Sequence, residues 1–371
     1  LSYPYESMDA FVQLLREAAA DPTVISIKIT LYRLARQSHL AEALIAAAES
    51  GKQVTALFEL RARFDESNNI EWSQRFEEAG CNVIYGFRDY KVHSKICCIT
   101  RQTENGLQYI TQLGTGNYNE KTAKLYTDLS FITADETIGR DATEFFRNMQ
   151  LENASDNYDI LSVLRCRSTR HPSPTRRADR PCTRRQAVRP VLQDQQRHRQ
   201  GHHRQDRRGK PGGRAVTLLV RGISCLVRAC PATPTTSVWS PSWAVCSSTA
   251  ASTLRPRENI KIYLSSADLM TRNMEKRVEI AWPILDEGLR NQVLDYIATC
   301  LRDTAKLREL KADGTYTKLG ELAKPDEPKF ESQDFLIKEA QRARAAAAEA
   351  KAARNANSRK LMNEQRQAQM A

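Results

Sequence analysis

The residues best suited to chemistry in this sequence are His93 and Lys95, in YKVHSKICCIT, followed by QLGTGNYNEKTAKLYTD. Two positions apart where a strand begins, their side chains point to one face. Histidine titrates at about 6.5, so a neutral ring nitrogen is available as a nucleophile at physiological pH. Lys95 offers a compact positive charge for oxygens on which negative charge develops. Gly114, Thr115, Gly116 and Asn117 follow the next strand, where glycines let backbone N–H groups approach a phosphate closely. A lone H-x-K pair carries little information, because a single histidine is usually a surface or core residue. Joined to G-T-G-N at this spacing, it becomes a candidate phosphate site built from His93, Lys95 and the loop that ends at Asn117. Arg33, in ITLYRLA, and Arg63, in ELRARFDE, end two upstream strands, and open α/β sheets place ligands at strand carboxyl ends. Taken singly, each arginine is equally a surface ion-pair former. Arg61 is expected to face solvent.

These residues need elements to position them. Residues 1–160 read as an orderly α/β domain. Strands are expected at Thr23–Leu34, Gln53–Leu60, Asn82–Phe87, Lys95–Thr100 and Leu107–Leu113. Helices are expected at Leu40–Ser50, Ile70–Ala79 and Gly139–Gln150, with Gly51 and Gly80 as stops. Strands alternating with helices imply a largely parallel sheet with helical faces. Orderly sequence returns near Pro256, with strands within 258–282 expected to adjoin a strand at Val216–Val227, then a helix near Glu287–Lys306. The tail from Phe330 is rich in Ala, Arg, Lys, Glu and Gln and lacks an apolar stripe, so a solvated helix is expected there, with a partner-binding arm as the alternative.

The net charge of +12 invites a nucleic-acid reading, but Arg165–Arg214 holds fifteen Arg and one Lys against three Asp, a net of 16 − 3 = +13. The rest of the chain therefore sums to about 12 − 13 = −1, which is not the basic face of a fold, and nucleic acid is not the expected partner. Across 164–255, Glu and Phe are absent and Arg, Pro, His, Gln and Ser abound. At face value this is a basic linker, apart from the island at Val216–Val227. No run of eighteen apolar residues suggests a membrane span, and the amino terminus does not read as a secretory signal. The nine cysteines lack a compact even framework, and reduced thiols in a cytoplasmic protein are expected, with peripheral membrane association left open. The chain opens at Leu1 and is expected to be a fragment of a longer protein.

The H-x-K pair with its downstream G-T-G-N resembles the phospholipase D architecture. The resemblance sharpens in PYESMDAFVQLLREAAADPTV, KITLYRLA, ELRARFDE, KVHSKICCIT, LGTGNYNEKTAKLYTDLS, LLVRGISCL and YLSSADLMTRNMEKRVEIAWPILD, which are similar to consecutive blocks of the polyphosphate kinase family. The resemblance implies two phospholipase D-like α/β domains, at 1–155 and 156–322, the second disrupted, and a charged tail at 323–371. It implies transfer of the terminal phosphate of ATP to inorganic polyphosphate through a phosphohistidine at His93. By the same resemblance, Arg33 and Arg63 lie at a magnesium–phosphate site and Tyr126 and Arg221 contact nucleotide. A guanidinium cannot ligate Mg2+, so the two arginines read as phosphate clamps beside the metal. ATP or ADP and polyphosphate are the implied partners, with a homo-oligomer open to the intact family.

The sequence departs from that pattern in one respect. The family carries a second histidine between LLVRG and SSAD, and no histidine follows His203 here. Back-translating Ala187–Ala215 and Val238–Thr253 and reading one nucleotide later yields strand- and helix-like sequence and restores that histidine. Parts of about 164–215 and 228–255 are therefore expected to be frameshifted, a natural basic linker being the alternative, and the chain as it stands is expected to be inactive as a polyphosphate synthase. Two other functions compete. A phospholipase D-like phosphodiesterase would use the same nucleophile, although Thr100 and Arg101 stand where an acid often follows the lysine. A non-catalytic remnant would bind polyanions through its arginines.

Overall fold

The computed structural model of the chain describes residues 1–62, 65–87, 90–153, 157–164, 216–221, 235–240, 262–268, 273, 276–311, 313–322 and 328–370. Two compact units emerge, one within Leu1–Gly212 and Trp243–Val293, the other within Gly213–Ser242 and Leu294–Ala371. The fold is mixed α/β.

In the first unit the elements run β1 (Ser2–Tyr3), α1 (Asp9–Ala20), β2 (Val24–Leu31), α2 (His39–Glu49), β3 (Gln53–Phe58), α3 (Glu66–Glu78), β4 (Asn82–Tyr85), β5 (Lys91–Val92), β6 (Lys95–Thr103), β7 (Gly106–Gly114), β8 (Asp128–Thr133) and α4 (Glu136–Gln150). Each helix forms for a local reason. α1 buries Phe11, Val12, Leu15, Ala18 and Ala19 along one stripe. α2 starts where Ser38 accepts the Ala41 N–H, and α4 where Asp135 accepts that of Ile138. α2 and α3 stop at Gly51 and Gly80, whose φ of +85° and +81° few other residues adopt.

Seven strands order as β1-β8-β7-β6-β2-β3-β4. Only β2–β3 and β3–β4 pair in parallel; β1–β8, β8–β7, β7–β6 and β6–β2 are antiparallel. The expectation of a largely parallel sheet is thus corrected. Parallel pairing needs a crossover, and helices intervene only as far as β4. Beyond it, β6 and β7 meet through a two-residue turn, so the chain folds straight back. Phe11, Leu15, Ile27, Ile29, Phe58 and Phe76 anchor the core between this sheet and its helices.

A second, smaller sheet in the same unit joins β5 to distant sequence. β9 (Ser162–Leu164) and β12 (Tyr263–Ser265) each pair antiparallel with β13 (Arg277–Pro283), and β13 pairs in parallel with β5.

The other unit contains β10 (Val216–Arg221), β11 (Thr235–Ser240), β14 (Arg308–Leu310) and β15 (Tyr316–Lys318), in that sheet order. The expectation that 216–227 and 258–282 adjoin is therefore corrected: β10 pairs with β11, which lies in a stretch expected to lack regular structure. The chain also forms α5 (Glu287–Leu301), α6 (Leu319–Leu322) and α7 (Ser332–Met370), the last exposed wherever its side chains are described beyond its first turns. Among the described residues no helix is long and apolar enough to cross a membrane. Cys81, Cys97 and Cys98 are buried free thiols, and Cys300 is buried.

Candidate active site

His93 sits between β5 and β6, and its backbone N–H donates to the Val278 carbonyl of β13 at 2.9 Å. This seat brings the imidazole to a carboxyl group from the far end of the sequence. Nδ1 lies 2.8 Å from Glu279 Oε1 and 3.1 Å from Oε2, to which it is better aligned for hydrogen bonding. The Lys95 ammonium is 2.9 Å from Nδ1 and 3.1 Å from Nε2. A proton on Nδ1, donated to Glu279, leaves Nε2 with its lone pair as the acceptor for Lys95.

Glu279 is held in turn. Ser266 donates its hydroxyl to Oε2 at 2.6 Å and accepts the Ile280 N–H at 3.0 Å, which fixes the carboxyl against β13. Arg277 stands 4.0 Å from Oε1. The Tyr32 and His93 rings meet edge to face, with centroids 4.6 Å apart and planes at 84°. That same Tyr32 ring has Arg33, Lys95 and Arg277 each 5.8 Å from its centroid. An aromatic face attracts cations without neutralising them, although Arg33 also pairs with Asp65 and Arg277 lies near Glu279.

Burial and charge set the protonation states. His93 is held well below 6.5, first by burial and then by Lys95 and Arg277, so its ring is neutral. Burial brings Lys95 down to about 8, against the opposing pull of Glu279, Asp268 and Asp128. Burial also raises Glu279 to about 7, although Lys95 and the Ser266 hydroxyl oppose it. A neutral nucleophile beside an ammonium of modest pKa suits attack on a phosphoryl group.

The G-T-G-N loop departs from the simple reading of its glycines. Thr115 donates its hydroxyl to Asp128 Oδ1 at 2.8 Å and accepts the Leu129 N–H at 2.9 Å. A Cβ on Gly116 would lie 2.1 Å from Asp128 Oδ2, and one on Gly114 3.3 Å from the Lys95 Cβ. The glycines thus let Asp128 and Lys95 pack against the loop. Asn117 follows, with its Oδ1 buried and without a hydrogen-bond partner among the described residues.

The other anticipated residues fall as follows. Arg33 reaches the site through Tyr32 and pairs with Asp65 at 3.1 Å. Tyr126 stands 40% exposed on the loop before β8. Arg63 lies outside the described residues, and Arg221 lies on β10, where only its backbone is described. Arg61 is half-exposed and donates to the Phe87 and Tyr90 carbonyls.

Sequence reasoning missed Glu279, Tyr32, Ser266 and Arg277. A signal for Glu279 existed: it follows Ser265 by fourteen positions, as Asp128 follows Gly114. The structure gives both pairs one register, with Gly114 opposite Ser130 and Ser265 opposite Ala281. The two acids hold equivalent places, each two positions before the residue paired across the strands.

The family description "Polyphosphate kinase C-terminal domain 1" matches residues 1–155, and "Polyphosphate kinase C-terminal domain 2" matches residues 210–333. A polyphosphate kinase of Bacillus cereus is 39% identical over 341 residues, which cover 85% of this chain and 45% of that protein. One of Staphylococcus epidermidis is 36% identical over 360 residues, covering 91% of this chain and 46% of that protein. The crystal structure of polyphosphate kinase from Porphyromonas gingivalis matches with a TM-score of 0.70 at 26% identity, covering 92% of this chain and 52% of that one. The chain thus spans about half the length of the relatives it matches.

Proposed function

The chain belongs to the polyphosphate kinase family, and on that premise we propose that His93 takes the terminal phosphoryl group of ATP and, in the intact enzyme, passes it to the end of an inorganic polyphosphate, the chain as it stands being expected to be inactive as a polyphosphate synthase. The observation that carries this reading is the buried His93–Glu279 pair with Lys95 beside the free ring nitrogen. The Nε2 lone pair attacks the terminal phosphorus. The P–N bond forms as the P–O bond to ADP breaks, and ADP leaves with that electron pair. The Nδ1 proton remains on the ring, shared with Glu279. In the return half, a terminal oxygen of polyphosphate attacks the phosphohistidine, the P–N bond breaks, and Nε2 regains its lone pair. Such transfer depends mostly on positioning and on charge around the phosphoryl oxygens. Lys95 moves its contact from the ring to one of those oxygens, while Arg33, Arg277 and Asn117 supply charge and polarity nearby. Arg63, Tyr126 and Arg221 are assigned to phosphate and nucleotide by family resemblance.

Magnesium does not fit as a protein-held ion. Guanidinium groups cannot ligate it, and among the described residues no three His, Cys, Asp or Glu side chains converge to do so. Mg2+ would be carried by the nucleotide's own phosphate oxygens, where it would offset their negative charge.

The test is incubation of the purified chain with ATP labelled on its terminal phosphate. Acid-labile, base-stable label on the protein that disappears in His93→Ala is the expected result. Hydrolysis of a phosphodiester with no such label would overturn the reading in favour of a phospholipase D-like phosphodiesterase. Salt-sensitive polyphosphate binding without label would favour a polyanion-binding remnant.

A further inference from the structure

Glu59 is a carboxyl group that the chemistry above does not use. It follows β3, is 1% exposed, and its carboxyl meets backbone N–H groups and Arg61. Oε2 accepts the Val92 N–H at 2.8 Å, and Oε1 accepts the Arg61 N–H at 3.0 Å. The Arg61 guanidinium, 3.6 Å from Oε1, donates to the carbonyls of Phe87 at 2.6 Å and Tyr90 at 2.9 Å. Lys91 donates its ammonium to the Arg61 carbonyl at 2.6 Å. The 86–87 segment passes so close that a Cβ on Gly86 would lie 3.0 Å from Oε2.

The consequence concerns His93. The N–H groups of His93 and Ser94 both donate to the Val278 carbonyl on β13, whereas that of Val92, one residue earlier, is taken by Glu59. The carboxyl thus stands where a neighbouring strand would otherwise satisfy that N–H. It fastens the end of β3 in the large sheet to β5 in the small one, directly before the nucleophile.

We propose that Glu59 is a positioning residue for phosphoryl transfer, whose carboxyl replaces a missing strand and sets the depth at which the His93 ring meets Glu279 and Lys95. The kinetic part rests on the function proposed above; the geometric part does not.

The experiment compares the full chain with Glu59→Gln and Glu59→Asp. Gln keeps the shape but turns one acceptor into a donor facing an N–H, while Asp keeps the charge and both acceptors on a shorter stem. The first readout is modification of His93 by diethyl pyrocarbonate across pH, with exposed His39 as internal control. In Glu59→Gln, His93 is expected to react several-fold faster and with a midpoint moved up toward the ordinary histidine value, His39 being unchanged, and Glu59→Asp is expected to recover part of both. The second readout is labelling by ATP, whose maximal rate is expected to fall by about 10²-fold with half-saturation unmoved, as for a slightly misplaced nucleophile. A lowered melting temperature with the His93 rate and pH profile of the parent would overturn the proposal and leave Glu59 a scaffold residue. If the parent takes no label, the proposed function fails, and the His93 modification still decides the role of Glu59. Should Glu59→Gln not fold, Gly86→Ala, which presses on Oε2 from the other side, is expected to give the same pattern, and a parent-like profile there would equally overturn it.

Discussion

The Glu279 carboxyl and the His93 Nδ1 meet across 186 positions of sequence. Ser266 donates to the same Oε2 that faces Nδ1, so the acid is aimed before any substrate arrives. An acid in this place fixes the tautomer and stabilises positive charge on the ring as the phosphorus–nitrogen bond forms.

Glu279→Gln tests that role without changing the volume of the site. An amide can accept from Nδ1 through its oxygen, but it carries no negative charge. Phosphoenzyme formation from labelled ATP is expected to slow by roughly 10²-fold, with melting temperature little changed. Parent-like labelling would remove Glu279 from the chemistry.

The pH profile of labelling follows from burial of the site. His93 is held well below 6.5, so its own nitrogen stays neutral as pH falls through that value, whereas Glu279, raised to about 7, takes up a proton there and the rate should fall on the acid side with its charge. Lys95, lowered to about 8, loses its proton on the alkaline side, so the rate should decline with a midpoint near that value. Stability carries the opposite sign for Lys95: its folded-state pKa lies below the ordinary 10.5, so the unfolded chain binds more protons between the two and stability rises with pH across that window. Single-turnover rates and melting temperatures measured across pH check both signs.

Tyr32 is expected to act through its ring. Tyr32→Phe keeps the edge contact with His93 and the face toward Arg33, Lys95 and Arg277, whereas Tyr32→Leu removes both. Binding of inorganic tripolyphosphate, followed by calorimetry, should match the parent in the first variant and weaken by about 1–2 kcal/mol in the second. Equal loss in both would assign the effect to the hydroxyl.

Gly116→Ala should be costly because its Cβ would meet Asp128 Oδ2 at 2.1 Å. A destabilisation of about 1–3 kcal/mol by chemical denaturation is expected. Asp128→Ala alone should cost about 1 kcal/mol through its lost bond with Thr115. The double variant should cost less than the sum of the two, because the smaller side chain makes room for the new methyl. Additive costs would show that Asp128 and Gly116 do not share that space.

The chain by itself determined what is covalently local. The spacing of His93, Lys95 and Asn117 is written in consecutive residues, and a two-residue period puts the first two on one face of any strand they form. The glycine stops of α2 and α3 were legible for the same reason, since capping is settled within a few residues, whereas α1 was not anticipated although its stripe is equally local. The strand–helix alternation up to β4 was equally readable, but its parallel reading failed beyond that point. Direction of pairing is decided by where the chain can return, and a two-residue turn between β6 and β7 forces it back. Only the tertiary structure decided which acid serves His93. Glu279 sits within an apolar strand, RVEIAWP, and its chemistry arises when β13 pairs with β5 and water is expelled from around both groups. Tyr32 and Arg277 joined the site for the same reason: cations gather round a ring, and a ring packs on an imidazole, only once separate strands close over one buried volume.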